Sequence, residues 1–142
     1  MSTITGPLAA IERLQAAINA HDVDALVDCF DPELRSTQPT RPDRGYHGRD
    51  HLRAYWAAVF EGVKDFRGKL LRSSAAGNTV WAEWCWKGTR EDGTTFVRAG
   101  VSIYGIAAGR IRWLRVYMEP VQGDPATIAE WAMQELWQDD AA

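Results

Sequence analysis

At 142 residues, with 16 basic and 19 acidic side chains and a net charge of −3, the chain has room for one domain with a real core and carries no basic run suited to nucleic acid. Its two cysteines, Cys29 and Cys85, lack the spacing of a disulfide framework or a zinc site, as expected of reduced thiols in a cytoplasmic protein. Met1 to Leu14 holds no signal-peptide core, no apolar run approaches a membrane span, and seven tryptophans point to a roomy aromatic interior or an aromatic interface.

The first element is a helix over Pro7–Ala20, with Leu8, Ile11, Leu14, Ala17 and Ile18 at helical spacing and Pro7 in the first turn. Asp22 can cap a second, short helix with Val23, Leu26, Val27 and Phe30 as its buried stripe, ended by Asp31-Pro32. Leu34 to Gln38 reads as a short extended segment, and Pro39 to Gly48 as a loop containing Arg41-Pro42-Asp43-Arg44. Asp50 stands where it could cap a third helix whose face is Leu52, Tyr55, Trp56, Val59 and Phe60, closed by Gly62. Phe66 to Ser73 predicts an edge strand, and Ala75 to Asn78 a turn. Three strands follow over 79–88, 95–106 and 111–119, joined at Arg90 to Gly93 and at Ala107 to Arg110. A short C-terminal helix over 125–137 carries Ile128, Trp131, Ala132 and Leu136. Helices followed by a meander argue for an α+β fold, in one domain over 1–142 with its core at about 8–121.

Strand side chains alternate between the two faces of a sheet. In the meander one parity is apolar: Val80, Ala82, Trp84 and Trp86, then Val97, Ala99, Val101 and Ile103, then Leu114, Val116 and Met118. The other mixes charge with aromatics: Trp81, Glu83, Cys85 and Lys87, then Arg98, Ser102 and Tyr104, then Trp113, Arg115, Tyr117 and Glu119. With four residues in each hairpin loop, Thr89 opposes Thr94 and Ile106 opposes Ile111, which sets Val101 against Val116 and pairs Arg98 with Glu119. This register turns the apolar parity toward a core and ligand pocket and the polar-aromatic parity outward. The opposite assignment would bring Glu119, Tyr117, Arg115, Arg98 and Glu83 together inside as an acid–base site.

Short pieces in a particular order carry a resemblance. They are Ala20 to Leu26, Asp31-Pro32-Glu33, Gly45 to Trp56, Val80 to Trp84, Gly109-Arg110-Ile111, and Tyr117 to Pro120. Together they are similar to the nuclear transport factor 2-like superfamily in its SnoaL-like branch, the fold group of ketosteroid isomerase, limonene epoxide hydrolase and polyketide cyclases. The resemblance implies a cystatin-like α+β roll: a cone-shaped, curved antiparallel or mixed sheet wrapped on three N-terminal helices around an internal pocket. It also implies homodimers made through the outer sheet face. Such a fold hosts isomerases, hydrolases, cyclases and plain binding modules, so function has to be read from the site.

The reactions of those relatives can be tried on this chain. Where ketosteroid isomerase-like members place a carboxylate base before a proline, the chain has Thr37-Gln38-Pro39, which cannot supply one. Where epoxide hydrolase-like members place an Arg and two Asp, the alignment gives Trp84, Trp86 and Val116, none of which can activate water. Glu119 is the one acid on the last strand, and the parity puts it outside.

The candidate catalytic residues are therefore polar groups expected at the pocket mouth: His47, His51, Tyr55, Asp43 and Arg35, with Tyr46 beside them. His47 and His51 are four apart, but Gly48 intervenes and no third ligand has recognisable spacing, so no metal site is expected; either imidazole could be a general base. His21 reads as a junction residue between two helices. Arg41, Asp43 and Arg44 either clamp an anionic group or pin a turn. Arg35 and Thr37 share the parity expected to point inward. Candidate ligand-binding residues are Thr37, Gln38, Tyr55, Trp56, Trp84, Trp86, Val101, Val116 and Met118, with Ala99 and Leu114 also on the pocket face. The expected dimer interface is Trp81, Glu83, Arg98, Tyr104, Trp113, Arg115, Tyr117 and Glu119. The expectation is a hydrophobic-ligand cavity serving either a cofactor-independent isomerase, cyclase or hydrolase, or a non-catalytic binding or dimeric interaction module.

Overall fold

The computed structural model describes residues 6–123 and 127–138. Helix α1 (Pro7–Asn19) opens on a proline, whose missing N–H costs nothing in a first turn, and buries Ala10, Ile11, Leu14, Ala17 and Ile18 along one stripe. Helix α2 (Val23–Asp28) is capped by Asp22, whose carboxylate accepts the Ala25 N–H at 3.0 Å. It ends earlier than the sequence implies. Strand β1 (Phe30–Thr37) starts at once, because the Cys29 carbonyl accepts the Ile111 N–H at 2.9 Å and draws the chain into the sheet. Phe30 is thus a strand residue opposite Ile111 rather than part of a helical stripe.

A 3-10 turn (Pro42–Arg44) and the two-residue strand β2 (Tyr46–His47) lead into helix α3 (Asp50–Gly62). Arg49, not Asp50, occupies the cap position, and its Nε holds the Phe30 carbonyl at 2.9 Å, tying α3 to the start of β1. Strands β3 (Arg67–Ala76), β4 (Thr79–Thr89), β5 (Thr95–Ala107) and β6 (Arg110–Pro120) form the meander. Helix α4 (Ile128–Gln138) follows; the expected start at Pro125 lies outside the described residues. The six strands lie in the order β2-β1-β6-β5-β4-β3, parallel at β1–β6 and antiparallel elsewhere. This is the α+β architecture of a curved mixed sheet with helices packed on its inner face.

Strand β5 corrects the expected parity. Between β4 and β5 the Arg90 N–H reaches the Thr94 carbonyl at 2.8 Å and the Gly93 N–H reaches the Arg90 carbonyl at 2.9 Å. Arg90 therefore stands opposite Thr94, and Thr89 opposite Thr95. Gly93, at φ 86°, takes the left-handed position that closes a three-residue hairpin loop and that a side chain would resist. One residue fewer in the loop turns β5 over relative to β4. At the other hairpin Ile106 does oppose Ile111, but a bulge follows and Gly105 faces Trp113. The Trp113 indole lies on Gly105 so closely that a Cβ there would stand 1.8 Å from Nε1. The bulge restores β6 to its expected face.

The outcome is that β4 and β6 present Val80, Ala82, Trp84, Trp86, Leu114, Val116 and Met118 inward, whereas β5 turns Phe96, Arg98, Ser102 and Tyr104 inward. Val97, Ala99, Val101 and Ile103 face out. Arg98 opposes Pro120, so its expected pairing with Glu119 does not form.

Helix α1 also closes one edge of the sheet. Asn19 exchanges two hydrogen bonds with Gly68, donating to its carbonyl at 2.9 Å and accepting its N–H at 2.8 Å. Gln15 accepts the Leu70 N–H at 2.7 Å, and His21 Nε2 donates to the Phe66 carbonyl at 2.7 Å while its ring stacks on Phe60 at 4.5 Å. His21 is the junction between the helices and the sheet edge.

Candidate functional site

The inner face of the sheet and helices α1 and α3 enclose a cavity of about 540 Å³, a volume in the range of roughly 300–1,000 Å³ usual for small-molecule sites. One side is apolar. Leu14 and Ile18 of α1, Phe30 of β1, Leu52 and Trp56 of α3, Trp86 of β4, and Leu114, Val116 and Met118 of β6 line it. Trp56 meets Trp86 edge-on at 5.3 Å and Phe66 at 5.6 Å, which fixes the two indoles by aromatic packing.

The other side is polar. Ser36 and Gln38 of β1, Arg44 of the 3-10 turn, Tyr46 of β2, His51 and Tyr55 of α3, and Arg98, Ser102 and Tyr104 of β5 converge there. None of the described lining residues is a carboxylate, and no group of three His, Cys, Asp or Glu among the described residues is placed to hold a metal.

Three phenols define the electrostatics of this side. Burial pushes Tyr104 up to about 12, against the opposing pull of Ser102 and of the Trp84 N–H, which Tyr104 Oη accepts at 3.0 Å. Burial also raises Tyr46, opposed by a hydrogen bond with Ser36. Tyr55 is half exposed as a residue, yet its hydroxyl end is crowded; burial raises it while Arg98 and then Arg44 pull it down. All three therefore keep their protons at neutral pH and can donate hydrogen bonds to a carbonyl or anionic oxygen. The His51 ring stacks on Tyr46 at 5.8 Å, so the one imidazole of the lining stands beside a phenol.

The expected site residues divide as follows. Gln38, Tyr55, Trp56, Trp86, Val116 and Met118 line the cavity, as do Leu114, Tyr46 and His51. Trp84 is wholly buried behind the wall, holding Tyr104 rather than offering a platform. Val101 and Ala99 belong to the outer face, because β5 is turned over. Arg35 and Thr37 also point the other way: Leu34 and Ser36 are the buried residues of β1, while Arg35 and Thr37 are exposed. His47 sits outside, 3.4 Å from Glu33, and pairs with Arg35 across β1–β2, so it shares no helical face with His51. Asp43 and Arg41 are exposed on the turn, and only Arg44 of that group reaches the cavity.

Of the expected interface set, Arg98 and Tyr104 belong to the cavity instead. Trp81, Glu83, Trp113, Arg115, Tyr117 and Glu119 do face outward, in lateral rows such as Trp81–Ile103–Arg115 and Glu83–Val101–Tyr117. The alternative internal cluster does not form, since Arg98 alone of its five members turns inward. Arg98, Ser102, Tyr104 and Ser36 are the functional positions that sequence parity assigned elsewhere. Two glycines signal the error: Gly93 at the end of a hairpin loop and Gly105 inside a strand.

The model of the SnoaL-like domain matches residues 11–114. The chain belongs to the SnoaL-like family. No curated protein matches it. Among solved structures it is similar to AclR, a candidate hydroxylase from Streptomyces galilaeus, at 12% identity over 92% of this chain and 95% of that one, with a TM-score of 0.74. It is also similar to IdmH, a candidate polyketide cyclase from Streptomyces antibioticus, at 17% identity over 81% and 93%, TM-score 0.70. An LEH-like epoxide hydrolase from M. tuberculosis aligns at 18% identity over 80% and 82%, TM-score 0.68. At these identities the likeness is one of fold. This SnoaL-like chain keeps that nuclear transport factor 2-like fold with its own set of side chains inside. Among the described residues no helix is long and apolar enough to cross a membrane.

Proposed function

We propose that this SnoaL-like protein binds a hydrophobic small molecule in the cavity and carries out cofactor-free acid–base chemistry on it, with His51 as the proton-transfer group. The observation that carries the reading is the two-sided lining. Trp56, Trp86 and Met118 offer an apolar wall, and facing them are phenol donors beside a single imidazole. The unprotonated ring nitrogen of an imidazole can take a proton, while Tyr46 and Tyr55 donate to the oxygen on which charge develops. A candidate polyketide cyclase and an LEH-like epoxide hydrolase are among the solved structures with this fold, which is consistent with the reading.

A second reading, a binding module without turnover, is favoured by one fact: the described lining contains no carboxylate base. Organic extraction of the purified protein followed by mass spectrometry tests both readings. A lipophilic compound should be recovered from the wild type and lost from a folded Met118→Trp variant, whose indole fills the cavity. Turnover of that compound by wild type and not by His51→Gln supports the enzyme. An unchanged compound supports the binding module, and no retained compound in either protein counts against the cavity reading.

The outer sheet face is proposed to meet a second copy. Trp81 is 52% exposed beside Ile103, and Val101, Ala99 and Val97 continue the outward row of β5 away from it, only partly covered. Aliphatic side chains flanked by Trp, Tyr and Arg make a surface composed like the centre of a protein interface.

A further inference from the structure

Resting on that cavity reading, the geometry points to an anionic ligand: a hydrophobic body bearing one carboxylate, anchored by Arg98 with Arg44 beside it. The lining holds two guanidiniums and no acid, although the chain as a whole carries a net charge of −3. Three arginines outside the cavity find carboxylate partners. Arg53 lies 2.7 Å from Asp24, Arg110 2.8 Å from Asp28, and Arg72 3.4 Å from Glu83. Arg98, half-buried on the inner face of β5, has no carboxylate within 4.0 Å among the described residues.

A guanidinium has five N–H donors. Here one makes a long 3.4 Å bond to the Val97 carbonyl, and the plane lies 4.5 Å from the Phe96 ring centre. Stacking on Phe96 orients the fork and leaves its edge for an acceptor. Arg98 and Arg44 line the same cavity as Tyr55, and both oppose the rise that burial gives its hydroxyl. A positive wall in a low-dielectric cleft focuses its field on whatever enters. A carboxylate accepts two parallel N–H bonds from such a fork. With the acid held there, the body of the ligand reaches Trp56, Trp86 and Met118.

Naphthalene-2-carboxylate and naphthalene-2-carboxamide, matched in shape and different in charge, test this by isothermal titration calorimetry. The wild type should bind the acid about tenfold more tightly than the amide, as a charge-assisted pair would require. In Arg98→Gln the acid should lose its advantage over the amide, the two affinities falling within about twofold of each other, and Arg98→Lys should keep part of the preference. Should Arg98→Gln fail to fold, the wild-type preference for the acid should still shrink in high salt and in Arg44→Gln. Equal binding of acid and amide by the wild type, or a preference that survives in Arg98→Gln, overturns the anion assignment and leaves the cavity reading standing. Binding of neither compound overturns both.

Discussion

The two faces of the sheet differ most along a single strand. On the inner face β4 and β6 supply Trp86, Val116 and Met118, while β5 between them supplies Arg98, Ser102 and Tyr104. On the outer face the sorting is reversed. There β5 shows Val97, Ala99, Val101 and Ile103, flanked by Trp81 and Glu83 on one side and Arg115 and Tyr117 on the other. Hence β5 carries polar chemistry into the cavity and apolar surface out to solvent. Two local devices, a three-residue loop at Gly93 and a bulge at Gly105, are enough to set which residues each face presents.

The largest test of this contrast uses two tryptophans on β4. Trp84 is 0% exposed and Trp81 52% exposed, three positions apart and on opposite faces. Trp84→Ala should cost about 3–5 kcal/mol in urea denaturation, from lost burial and the cavity left behind. Trp81→Ala should leave protomer stability within about 0.5 kcal/mol and instead shift a dimer toward monomer in sedimentation. Equal destabilisation by both would mean the two faces are not distinguished in solution.

Next in size is a pH effect at Tyr104. Burial pushes its phenol up to about 12, above the ordinary value of about 10. The unfolded chain thus loses this proton first as pH rises. The stabilising contribution is fully present below pH 10 and is lost between about 10 and 12, roughly 3 kcal/mol in all. Tyr104→Phe should remove that part of the alkaline slope, which denaturant titrations across the range would read. The smallest effect belongs to the exposed rim. His47→Ala breaks a solvent-facing contact with Glu33 and should change stability by less than about 0.5 kcal/mol, with ligand affinity unaltered.

The fold was legible because periodicity needs only local order. The stripe of α1, the Asp22 cap and the alternation in β4 and β6 are each written within a dozen residues. The site was legible in part. Tyr55, Trp56, Trp86, Val116 and Met118 lie on elements whose buried side follows from their own pattern. Strand β5 was not, because both its parities could pass as a wall. The even set reads as polar surface, and only the loop count and the bulge decide which way it turns. Arg35 and Ser36 failed for a related reason. Strand β1 bulges between Phe30 and Arg35, so alternation counted from either end does not carry across it. His47 and His51 looked like a pair by spacing, yet Gly48 at φ 87° turns the chain between them and sends them to different sides.

The grip of Asn19, Gln15 and His21 on Gly68, Leu70 and Phe66 has a consequence for assembly. These side chains act as a surrogate neighbouring strand, saturating the outward-pointing amides and carbonyls where β3 would otherwise template ribbon growth. The opposite border, β2, is two residues long. With one rim masked over this stretch and the other too short to recruit a strand, the sheet keeps little open edge for end-to-end fibre formation.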